Sequence, residues 1–200
     1  MAKSLEDFTF IVSDCALMFL YPGHLQRPYD NPFVGSYFQD DEQYLKFCIN
    51  YEHYMGFTPR FGPALLPLDD NPGVPPGSFP VMFLDDIEIH WLHEPNAETV
   101  LEKYYRRLER GQGKTPFFIW ADAQIRRPHS PEEREAMISR FLSIPAEQRV
   151  YLRQDLAPEW QGQSFDNVLV NVGWAQPLRW ANQPLVAELT IKHLANLGII

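Results

Sequence analysis

Three short runs constrain the fold most. Phe8–Val12, Val81–Leu84 and Pro116–Trp120 are apolar at almost every successive position, so a strand built from any of them tolerates water on neither face. Strands buried on both sides belong to sheets covered on both faces, and such sheets are mostly parallel. Between the runs the apolar period changes to that of a helix. Tyr44, Cys48, Tyr51 and Met55 fall on one stripe, as do Val100, Leu101, Tyr104, Tyr105 and Leu108. Met137, Ile138, Phe141 and Leu142 form a third stripe, and Leu185, Leu189 and Leu194 a fourth. Strands alternating with amphipathic helices predict one α/β domain over residues 1–200, with a mixed, largely parallel sheet flanked by helices.

Start and stop signals sharpen the pattern. Asp14 is placed to cap a short helix through Tyr21, which Pro22-Gly23 then ends. Asp40, Asp41 and Glu42 put acids at the positive end of the next helix, and Gly56 closes it. Asn96 caps a helix to Arg110, ended by Gly111 or Gly113. Ser130-Pro131-Glu132-Glu133 is a capping box with proline at the first helical position. Shorter strands are expected within Phe33–Phe38, Val150–Leu152 and Val168–Val172. Residues 59–80 carry seven prolines, so no regular structure is expected there. A loop of that length is either functional or a variable surface insertion.

Composition excludes several classes. A net charge of −9 on 200 residues disfavours non-specific binding to DNA or RNA, so no nucleic-acid partner is expected. No apolar run approaches the roughly 20 residues needed to span a bilayer. No signal-peptide core is present at the start, and Cys15 and Cys48 are too few for a disulfide framework. Both read as buried free thiols, and a cytoplasmic location is the expectation. Charge is unevenly placed. Residues 1–100 carry 4 basic and 15 acidic side chains, whereas residues 101–150 carry 10 and 7. Arg106, Arg107, Arg110, Lys114, Arg126 and Arg127 therefore make a basic region on an acidic chain. Such arginines either grip an anion or pair along a solvated helix face with Glu102 and Glu109.

The densest polar stretch is Asp85-Asp86-Ile87-Glu88-Ile89-His90-Trp91-Leu92-His93. Strand alternation would put Asp86, Glu88 and His90 on one face, which is what general acid/base work or a hard metal requires. Two carboxylates on that face would also favour the charged imidazole. The alternative is a hairpin turn at Asp85-Asp86, with Glu88 and His90 hydrogen-bonded on a sheet face. No third zinc ligand accompanies His90 and His93, so no metal is assigned and no cofactor is named. Ser13 and Asp14 sit at a strand-to-helix turn, where backbone amides favour anions, and Asp14 and Cys15 serve equally as cap and packing residue.

Several of these segments resemble a bacterial family labelled exopolysaccharide or capsular polysaccharide biosynthesis protein, a domain of unknown function. The residues that carry the resemblance are Phe8–Cys15, Tyr29–Gly35, Pro80–His93 and Tyr104–Arg110, in the family's order across about residues 7–125. The chain departs from that pattern at Asp14, Ala16, Leu17, Asn31 and Glu94. The resemblance implies a role in surface-polysaccharide biosynthesis. One form of that role is a transferase acting on a sugar or sugar-nucleotide. The other is a non-catalytic interaction domain that binds proteins of a polysaccharide-assembly complex. On the enzyme reading Asp86, Glu88 and His90 are catalytic, and Ser13, Asp14, Asn31, His93, Arg106, Arg107 and Arg110 bind substrate.

Overall fold

The computed structural model describes residues 4–13, 17–65, 79–121, 130–153, 164–165, 168–170 and 183–198. The first apolar run is strand β1 (Phe8–Val12), buried at every position. It pairs in parallel with β6 (Thr115–Ala121), which pairs in parallel with β7 (Arg149–Arg153), and β7 with β9 (Val168–Val170). The short strand β8 (Ser164–Phe165) closes the edge antiparallel to β9, giving the order β1-β6-β7-β9-β8. Alternate residues feed two cores. Phe8, Phe10, Val12, Phe117 and Ile119 pack on one side, under the helix α6 (Gln183–Asn196). Ile11, Phe118, Trp120 and Tyr151 pack on the other. This is the α/β class read from the sequence, with its largely parallel sheet.

A second sheet completes the architecture. Strands β2 (Tyr37–Phe38), β3 (Arg60–Phe61), β4 (Val81–Leu84) and β5 (Ile87–His90) form an antiparallel sheet in the order β2-β5-β4-β3. Its inner face, with Phe38, Met82, Leu84, Ile87 and Ile89, shares the core of Ile11 and Trp120. Helices α2 (Asp41–Ile49), α3 (Tyr51–Met55), α4 (Ala97–Arg110) and α5 (Pro131–Phe141) fill that layer. The Tyr44 hydroxyl, on α2, lies 3.0 Å from the Ile11 carbonyl and 2.8 Å from that of Ile119, tying α2 to two parallel strands.

Most local signals hold. Asp40 accepts from the Gln43 amide, Asn96 from Thr99, and Ser130 and Glu133 form the capping box. Four expectations change. The single helix expected from Asp40 to Gly56 is two, α2 and α3, broken at Asn50, which leaves the helical conformation. Helix α1 (Leu17–Leu20) does not stop at Pro22-Gly23 but runs into a π-helical turn, Tyr21–Leu25. Pro22 lies inside this continuous helix, where it removes one intrahelical donor and crowds the preceding turn, and the wider π-helical turn falls at that point. Only Tyr37 and Phe38 of the expected Phe33–Phe38 strand are extended, because Gly35 turns the chain with φ +84°. The proline-rich stretch contains β3, since Arg60 and Phe61 pair with Phe83 and Met82. The expectations for Asp14, Cys15, Arg126 and Arg127 lie outside the described residues. Cys48 is a buried free thiol, its proton held tightly because burial penalises the thiolate.

Gly111 ends α4, and for a reason of space. Its φ of −84° suits any residue, but a Cβ there would stand 2.4 Å from the Asp30 backbone carbonyl. Gly111→Ala is expected to cost about 2 kcal/mol, the usual scale of overpacking against backbone. A urea titration checks it, and an unchanged midpoint would show that the 29–31 segment yields freely.

Candidate functional site

Asp85 adopts φ +54° and closes a two-residue hairpin turn between β4 and β5, with Leu84 opposite Ile87. That turn re-aims Asp86. Its carboxylate pairs with Lys46 of α2 and accepts from the Tyr54 hydroxyl at 3.1 Å. The hydrogen bond from Lys46 holds the Asp86 carboxyl below its ordinary range. Asp86 therefore leaves the face it was expected to share. Its side chain is 56% exposed, so the pair with Lys46 adds little to stability.

Glu88 and His90 do share a face, and both are buried. Their side chains meet at 2.7 Å between His90 Nε2 and Glu88 Oε1. The Leu65 amide donates to both Glu88 carboxylate oxygens, at 3.3 and 3.2 Å. The Phe79 ring tilts over the imidazole at 5.5 Å between centroids. Leu65 and Phe79, the described residues on either side of 66–78, thus both reach the pair. Desolvation is the main cause that raises the Glu88 carboxyl above its ordinary pKa, and the nearby Asp40 charge adds to it. The Leu65 amide opposes this shift by favouring the carboxylate. A carboxyl and an imidazole in contact can pass one proton between them, which is acid/base chemistry in miniature.

An open pocket of about 350 Å³ adjoins the pair. Phe61, Phe79, Pro63, Pro80 and Pro95 wall it, and Asn96 and Ala97 at the start of α4 contribute its polar rim. Val81, which lies opposite His90 in the sheet, also lines it. The volume is at the lower end for a small-molecule site. Among the described residues no group of three or more His, Cys, Asp or Glu side chains is placed to hold a metal ion.

The other expected binding residues do not converge there. Asn31 is fully buried, its amide nitrogen 2.5 Å from the Phe10 carbonyl and its Oδ1 accepting from the Phe33 amide. It shapes the turn after Asp30. Arg107 is buried too. It donates to the Val34 carbonyl at 2.7 Å and lies over the Tyr29 ring at 5.2 Å. Desolvation is the main cause that lowers its proton affinity. Arg106 pairs with Glu102 on the exposed helix face, and Arg110 reaches the Tyr29 carbonyl at 3.4 Å. His93 is exposed in the turn before α4. Ser13 lies at the end of β1, where its carbonyl accepts from the Phe38 amide. Asp14 is outside the described residues.

A family model described as a domain of unknown function (DUF1919) matches residues 3–165. The chain belongs to this family. The DUF1919 match spans both sheets' central strands, the Glu88–His90 pair and every lining residue of the adjoining pocket. Its description names no reaction and no pathway. A search of the curated proteins finds no match. Among the described residues no helix is long and apolar enough to cross a membrane.

Sequence reasoning missed Phe61 and Phe79. The signal was present in outline: aromatic residues flank the proline-rich stretch at both ends, and an aromatic residue at each foot of a loop can wall a pocket beneath it. Nothing local indicated that the two feet come together over His90.

Proposed function

We propose that this DUF1919 protein serves surface-polysaccharide biosynthesis by holding a sugar, or the sugar of a sugar-nucleotide, in the Phe61–Phe79 pocket. The observation that carries this reading is the pocket itself, with two phenylalanines and three prolines beside a buried Glu88–His90 pair. A pyranose presents a flat apolar face of C–H groups, which stacks on aromatic and proline rings while its hydroxyls take polar partners at the rim. The pathway in this proposal rests on the likeness of Phe8–Cys15, Tyr29–Gly35, Pro80–His93 and Tyr104–Arg110 to the polysaccharide-biosynthesis pattern, since the DUF1919 description names none. Group transfer is a second reading, favoured by the raised Glu88 carboxyl and the imidazole one residue layer behind the pocket wall. The dispersal of Asp86 from that face favours binding without chemistry, the mode of an interaction domain within a polysaccharide-assembly complex.

Calorimetric titration of the full chain with neutral monosaccharides and with nucleotide-diphosphate sugars tests this. Phe61→Ala is expected to weaken binding about tenfold, the worth of one good aromatic contact. Glu88→Gln should change affinity less than threefold, because the carboxyl stands behind the wall. If Glu88→Gln keeps affinity but stops consumption of the sugar-nucleotide, the transferase reading prevails. No heat with any sugar would sink both.

A further inference from the structure

His193 lies on α6, away from the pocket, and is 0% exposed. Neither ring nitrogen has a hydrogen-bond partner among the described residues. The Arg149 carbonyl stands beside the ring without reaching hydrogen-bond geometry, and the Arg149 guanidinium is close enough to act on its charge. Arg149 is itself buried. It donates to the Ile144 carbonyl at 2.7 Å and the Leu142 carbonyl at 3.1 Å, at the carboxyl end of α5. Its Nη1 is buried with no partner among the described residues.

The charges facing His193 can be named element by element. Helix α6 packs most against α1, the π-helical turn and β7. Helix α1 carries no titratable side chain. The turn brings Tyr21, bound to Asp30, and His24, which is exposed. Strand β7 brings Arg149 and Tyr151, whose ring turns to the opposite core. On α6 itself Glu188 and Lys192 are both exposed. None of these elements offers a buried acid to an imidazolium.

We propose that His193 is a proton-operated latch, holding α6 on the parallel sheet at neutral pH and releasing it in acid. A neutral imidazole sits in this apolar seam at modest cost. A protonated one is a second buried cation beside Arg149, with no buried anion to pair among the described residues, and buried charge without a partner is expensive. Opening the helix hydrates the ring and removes that cost. The bias is set by desolvation, which lowers the docked pKa from 6.5 to about 4. In the opened helix the ring titrates at its ordinary value. Because protons bind the open form more tightly, acid favours opening. Between neutral pH and pH 5 the opening equilibrium should rise on the order of thirtyfold.

Hydrogen exchange of the amides of residues 183–198 in the full chain, at pH 7.5 and 5.0 and corrected for intrinsic exchange rates, reads this directly. The expected result is a rise on the order of thirtyfold in α6, with α5 unchanged as the internal control. His193→Leu, similar in volume and unable to titrate, should show no rise. Arg149→Met removes the neighbouring charge and should reduce it only slightly, since desolvation is the larger cause. An α6 equally protected at both pH values would overturn the proposal. So would equal loosening in His193→Leu, or loosening of α5 in parallel, since that would be general acid unfolding. If His193→Leu fails to fold, His193→Gln, which also cannot titrate, takes its place, and an undiminished rise there would overturn the latch.

Discussion

Asp30→Asn should lower folding stability by about 3 to 5 kcal/mol, the scale of breaking a buried ion pair from one side. Asp30 is 2% exposed and gathers four partners. Its carboxylate accepts from Lys114 at 2.7 Å, pairs with Arg27 at 3.0 Å, and receives the hydroxyls of Tyr21 and Thr9. Burial above all, and then the Asp30 charge, keep the Tyr21 phenol protonated far above its ordinary range. Asparagine preserves the shape but leaves two cations without their anion. Glu6 cannot take over, because its carboxylate is 70% exposed, 3.1 Å from Arg27 and 3.9 Å from Lys114. The partial exposure of Lys114 argues for the lower end of the range. Guanidinium unfolding gives the number, and a loss under about 1 kcal/mol would mean that solvent screens this cluster as it does a surface pair.

Trp120→Ala should cost a similar amount, about 3 to 5 kcal/mol, through a different term. Trp120 is fully buried on β6, an interior strand of the parallel sheet, with Tyr151 at 4.9 Å and Phe141 at 5.5 Å between ring centroids. Its indole nitrogen also donates to Asp41 at 2.9 Å, in the first turn of α2. Alanine opens a cavity where β6, β7, α2 and α5 meet. Trp120→Phe separates the two contributions, since it fills most of the space and removes only the hydrogen bond. That variant should lose about 1 to 2 kcal/mol, read as a shift in thermal midpoint. Equal losses in the two variants would make the indole N–H, and not the ring, the dominant contact.

What the sequence made legible follows from how far each signal reaches. Phe8–Val12 and Thr115–Ala121 announce themselves because both faces of each strand are buried, so Thr9 and Thr115 are their only polar residues. Ser130 and Asn96 mark helix starts because a cap acts within three residues. Strand β3 was hidden among prolines because its partner lies some twenty residues further on and two residues carry no period. Alternation located Glu88 and His90 on one face correctly, yet alternation is silent about what covers a face. Their burial depends on Leu65 and Phe79 arriving from the far side of the proline-rich stretch. Asp86 escaped the pattern because Asp85 takes a left-handed conformation, a single torsion that moves the next side chain to α2. Arg107 read as one more cation on a helix, and only Tyr29, far away in the chain, makes it a buried tie.

The order of strands has a consequence for the protein as it is made. Among the described residues strand β1 sits at the edge of the parallel sheet and pairs there with β6 alone, with Phe8 beside Thr115. A ribosome adding about 5 to 20 residues per second spends roughly 5 to 20 s between those two positions. Throughout that interval the Phe8–Val12 segment has emerged without the strand that completes it, an apolar ribbon able to pair with another chain's strand. The antiparallel hairpin of Val81–Leu84 and Ile87–His90 suffers no such delay, since its halves leave the ribosome together. Early synthesis is therefore the aggregation-prone period of this molecule, and slower translation would lengthen it in direct proportion.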